Sequence, residues 1–180
     1  EASSFEKERI SSFTGSGETG IRMHWLYLDG DSPGILAEAG FLYDSTIGYN
    51  DAVGFRCGTA QVFQLPGAEQ LSELPLIIQD TALFYSDRMG LDEDDAEALV
   101  QSIIKDAAFF GGAVTVNWHQ RSLGPERNWD VFYLALIGML EKKQSWFPRA
   151  ADAVKWFGKR RRALIKATEF SEDQAAVHYE

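Results

Sequence analysis

Three histidines, His24, His119 and His178, are the side chains of this 180-residue chain best suited to moving protons or holding a metal near neutral pH. No two of them stand at the i, i+2 or i, i+4 spacing that presents two imidazoles to one ion, so there is no local metal motif. His119 ends the β-branched run AVTVNW and precedes the polar stretch QRSLGPERN. At such a strand-to-loop transition an imidazole can act as general acid or base, or tie the strand end to its loop. Trp118, next to it, offers either a flat surface for a sugar ring or a core side chain. Arg22 and His24 fall on one face of the alternating segment IRMHWLYL, where Arg22 could orient a carboxylate by a bidentate pair or hold the sheet through an ion pair. Arg56, in GFRCGT, stands among glycines that let backbone approach a ligand, with turn chemistry as the alternative. Asp44 in FLYDSTI and Asp80 after LPLIIQ add carboxylates to strand-like runs. Cys57 has no neighbouring base or helix N-terminus to activate it, and Gly15, Gly17 and Gly20 do not fit the phosphate-loop spacing.

Positioning these groups requires a folded scaffold, and 45% apolar with 13% aromatic residues supplies the material for a single domain spanning residues 1–180. A net charge of −10 opposes binding to nucleic acid or anionic lipid, both of which need a basic face. The six basic residues between Lys155 and Lys166 read as the solvated end of a last helix. One cysteine excludes an intramolecular disulfide and leans towards a reducing, cytoplasmic setting. No apolar run approaches the length of a membrane span. Starting at Glu1 without a methionine, in a sequence with helical character, the chain reads as a piece of a longer protein.

Periodicity predicts a helix over residues 1–13, a strand over 21–28, a short helix in SPGILAEAG and a strand in FLYDSTI. Residues 48–75 read as a long turn-rich excursion. Beyond it come a strand at 76–78, an acid-headed amphipathic helix ending at Gly111, the strand AVTVNW, a helix over 128–143, and a last helix from Pro148 through KWFGKRRRALIK. Strands alternating with helices predict an α/β fold whose functional groups gather at the C-terminal ends of the strands.

The segments GIRMHWL, AEAGFLYDSTIGYNDAVGFRCGT, LPLIIQDTAL and GGAVTVNWH, in that order, resemble the later part of the polysaccharide deacetylase (NodB-homology) family, over roughly residues 15–160. The resemblance implies a partial, distorted TIM-like (β/α) barrel and metal-dependent hydrolysis of acetyl groups on sugars. A divalent metal such as zinc is expected in the complete family. Its usual ligands, an aspartate from an early strand and two histidines of an HxxxH segment, have no counterpart in this chain. By position, Arg22 matches the family's base-orienting arginine, within RMHW instead of the usual Arg-Pro-Pro-Tyr, and His119 matches its general acid. Asp44 and Asp51 fall where the family has an acidic wall of the site, and the resemblance places His24, Asp44, Arg56, Asp80 and Trp118 around an acetylated sugar. Two expectations follow: a deacetylase completed by segments outside this chain, or a noncatalytic carbohydrate-binding or assembly module on the same scaffold. A barrel lacking its first strands is further expected to self-associate through an exposed edge.

Overall fold

The structure, a computed structural model, describes residues 2–171 and 174–179, with the backbone alone for those beyond 164. It is a mixed helix and strand fold. Helix α1 (Ala2–Thr14) leads through a glycine turn to β1 (Gly20–Ile21), α2 (Ser32–Glu38) and β2 (Tyr43–Asp44). Strands β3 (Phe63–Leu65) and β4 (Ala68–Glu73) follow, then β5 (Ile78–Gln79), α3 (Asp80–Phe84), α4 (Glu93–Phe110) and β6 (Val116–Asn117). Helices α5 (Asp130–Lys142) and α6 (Ala150–Arg162) precede β7 (Ile165–Ser171) and β8 (Gln174–Tyr179).

The strands form a four-stranded sheet in the order β1-β2-β4-β3, a parallel pair β5-β6 and an antiparallel pair β7-β8. β1, β2 and β4 run parallel, with Gly20 opposite Tyr43 and Asp44 opposite Glu73. Gly20 is required here: a Cβ on it would lie 2.0 Å from the Tyr43 ring.

Helix α4 forms where its sequence predicts. The Asp92 side chain accepts from the Asp95 amide, three acids fill the first turn, and Gly111 closes the helix at φ 65°. Its buried face, Val100, Ile103 and Ile104, packs with Ile77, Ile78 and Leu83 and with Phe132 and Leu136 of α5. Each such side chain contributes about 1.5–3 kcal/mol through burial. A second cluster joins Leu36 and Phe41 to Ala68 and Leu71, and a third joins Val62 and Leu74 to Val154 and Phe157 of α6. Among the described residues no helix is long and apolar enough to cross a membrane.

Three segments depart from their periodicity. The strand expected over 21–28 is only Gly20–Ile21, because the Met23 amide bonds Thr46 Oγ1 and the chain then turns into a 3-10 turn at His24–Leu26 with positive φ at Trp25 and Leu26. The turn-rich excursion contains the β3-β4 hairpin, whose turn is Pro66–Gly67 with Gly67 at φ 79°. The last helix stops at Arg162, and a strand begins at Ile165. His178 and Lys166 lie outside the residues whose side chains are described. Three of the basic residues of α6 are engaged: Lys155 pairs with Glu18, Arg160 donates to the Gly111 carbonyl at 2.8 Å, and Arg161 donates to the Val62 carbonyl.

Candidate functional site

The C-terminal ends of β5 and β6 bring together two residues that are 39 positions apart. β5 ends at Gln79, so Asp80 begins α3 fully buried, while β6 ends at Asn117 and delivers His119 to an exposed position. The His119 Nδ1 lies 2.7 Å from Asp80 Oδ1, and the His119 amide donates to Asp80 Oδ2 at 2.7 Å. The Thr81 amide donates to Oδ1 at 2.7 Å, and the Ser122 hydroxyl, also buried, donates to Oδ2. Four groups able to donate therefore surround one buried carboxyl group and satisfy its oxygens. With a carboxylate on Nδ1, the Nδ1–H tautomer is fixed and Nε2 is left for other partners. His119 keeps 45% of its side chain accessible, so that nitrogen can meet a ligand.

Around this pair stands a shell of cations and aromatics. Arg127 donates to the Ser122 hydroxyl at 3.0 Å and to the Tyr85 hydroxyl, and its guanidinium lies 4.8 Å from the Tyr85 ring and 5.2 Å from the Trp129 ring. Arg88 donates to Thr81 Oγ1 at 2.6 Å and lies 5.3 Å from the same Tyr85 ring. Trp118 turns into the core, with its ring stacked 6.1 Å from Phe132 and edge-on to Phe84. Of the two readings of Trp118, the contacts are those of a core side chain.

Arg22 occupies the rim at the end of β1. Its Nε donates to the Ser45 carbonyl at 2.9 Å, Nη2 to the Ser45 hydroxyl at 2.9 Å and Nη1 to Asn117 Oδ1 at 3.2 Å. The last bond ties the four-stranded sheet to the strand that carries His119. A cleft of about 780 Å³ opens below, lined by Ile21, Arg22, Ser45, Val116, Trp146 and Phe147 among others. His24 does not join Arg22; its ring sits 5.5 Å from Trp25 on the outward turn. Arg56 serves its own loop, donating to the Gly48 carbonyl at 2.6 Å and leaning over Tyr49. Asp51 is exposed.

Asp44 is fully buried and faces Glu73 across the β2-β4 register, a pairing the sequence reading missed. Asp44 Oδ1 accepts from the Ser45 amide and the Thr46 hydroxyl, and Glu73 Oε1 accepts from the Ile47 amide at 3.0 Å. Asp44 Oδ2 and Glu73 Oε2 are buried without a hydrogen-bond partner. Burial first, and the Asp44 charge second, push Glu73 up to about 8, while burial raises Asp44 above the usual carboxylate range. The only sign of Glu73 in sequence is an acid inside the apolar stretch LSELPLII.

A divalent ion of the kind the resemblance implies needs several converging His, Cys, Asp or Glu side chains. Among the described residues no group of three exists, and the Asp44 and Glu73 carboxyls are fully buried. These residues do not fit the ion; the chemistry open to them is proton transfer and ligand positioning.

Compared with family models, curated proteins and solved structures, the chain matches none.

Proposed function

We propose that this chain is a polysaccharide deacetylase-like protein, built on part of a distorted (β/α) barrel, whose site removes acetyl groups from sugars with His119 as the proton donor. The observation that carries the reading is the Asp80–His119 pair: a buried carboxyl group with four donors, and an imidazole that keeps 45% of its side chain accessible. In amide hydrolysis the leaving amine must gain a proton as the C–N bond breaks, and an imidazolium held at the end of a strand can give it. Asp80 then orients the ring and stabilises its positive charge. Arg22, fixed by Ser45 and Asn117, presents a guanidinium edge at the rim of the same strand ends. Metal-activated water belongs to the reaction the resemblance implies, and none of the described residues is assigned to that step.

The test is acetate release from N-acetylglucosamine oligomers with zinc or cobalt supplied, run beside oligomer binding by calorimetry, for the natural chain and His119→Gln. Release that His119→Gln abolishes while binding persists supports the assignment. Binding without release points to the noncatalytic carbohydrate-binding module, and absence of both overturns the sugar reading. Self-association through the open edges of β1 and β6 belongs to the same proposal, and light scattering showing a monomer at high concentration would count against it.

A further inference from the structure

The chain carries ten more formal negative charges than positive ones, yet Arg88 and Arg127, beside the Asp80–His119 pair, have no carboxylate within ion-pair distance among the described residues. Their hydrogen bonds go to hydroxyls instead. Arg127 spends two donors on Ser122 and Tyr85, and Arg88 spends one on Thr81. A guanidinium has five N–H donors, so each keeps several for a ligand. Both lie within 5.3 Å of the Tyr85 ring centre, which fixes their positions at little further entropic cost when an anion arrives. Ser122 and Thr81, the hydroxyl residues they bond, are themselves bonded to Asp80. Each arginine is thus linked to His119 through a hydroxyl residue and Asp80.

We propose that Arg88 and Arg127 form an anion subsite for the carboxylate of an acidic sugar unit adjoining the acetylated one; the sugar part of this inference rests on the deacetylase-like reading above. A carboxylate takes charge-assisted and bidentate bonds from guanidinium groups such as these. The Trp129 ring, 5.2 Å from Arg127, adds an apolar surface at the same place.

Calorimetry on the full chain separates the possibilities, with a disaccharide of glucuronate and N-acetylglucosamine as the acidic probe and N,N′-diacetylchitobiose as the neutral one. The acidic probe is expected to bind roughly tenfold or more tighter than the neutral one. Arg88→Gln and Arg127→Lys should each erase most of that advantage and leave the neutral probe unchanged. Arg88→Gln is the safer variant for folding, because Arg127 also supports buried Ser122. Equal binding of the two probes, an advantage that survives both variants, or binding of neither probe overturns the subsite. Arginine-dependent binding of the acidic probe with no release of acetate upholds the subsite and overturns only the deacetylase assignment.

Discussion

Two buried acids in this molecule meet opposite fates. Asp80 is enclosed by two amides, a hydroxyl and an imidazole, all able to donate, and its neighbour His119 opens to solvent. Asp44 is enclosed equally well, but the group across the sheet from it is Glu73, another acid, and the pair is closed off. The difference shows that two acids at equal depth can meet opposite surroundings, one facing donors and the other a second acid. The first arrangement suits proton traffic with a ligand. The second suits a structural joint between β2 and β4 in which burial and the neighbouring acid favour protonated Glu73.

Removing the acid from the first arrangement gives the largest expected effect. Asp80→Ala leaves the Ser122 hydroxyl, two amides and the His119 ring without their acceptor, and should lower unfolding free energy by about 3–5 kcal/mol in a denaturant titration. A loss under about 1 kcal/mol, the range of an exposed ion pair, would show that water replaces the carboxylate and that the two regions are less different than described.

For the second arrangement the sign is opposite. Glu73 has a folded-state value raised from 4.5 to about 8, so the folded state binds the proton more tightly than the unfolded chain. Its contribution is fully present below pH 4.5 and is lost as pH rises through about 8, at a cost on the order of 3 kcal/mol by pH 7. Glu73→Gln, which donates permanently to Asp44, should flatten that slope and stabilise the protein near pH 8. An unchanged slope in pH-dependent urea melts would count against the raised value of Glu73.

The bridge between the two regions is the Arg22–Asn117 bond, and Asn117→Ala should cost about 1 kcal/mol while leaving the pH slope intact. The smallest effect belongs to Arg121, whose pairing with Glu126 beside the site is exposed on both sides; Arg121→Ala should change stability by less than about 1 kcal/mol, and less still in high salt.

Local signals in the sequence identify some of this. The Asp92 cap, the acidic first turn and Gly111 define α4, and AVTVNW delivers His119 to the end of a strand as its pattern predicts. What pattern cannot supply is which strands lie side by side. Asp80 and His119 are single residues until β5 and β6 pair, and Glu73 has no partner until β4 lies against β2. The shared face expected for Arg22 and His24 failed because it assumed a strand of full length, whereas the Thr46 hydroxyl and the left-handed residues Trp25 and Leu26 end it early. Arg88, Arg127 and Tyr85 gave no sequence signal, since isolated arginines in polar loops look alike until a ring and two hydroxyls fix them.

The contacts of α6 also bear on how this surface can diverge. Arg160 and Arg161 hold main-chain carbonyls of distant segments, at Gly111 and Val62, so their length and branching matter more than their charge. Descendants of this sequence should exchange Lys159 and Arg162 freely for other polar residues and keep arginine at 160 and 161. A stretch that looks in composition like a tail for binding acidic partners would then drift like a pair of fixed fastenings between two variable positions.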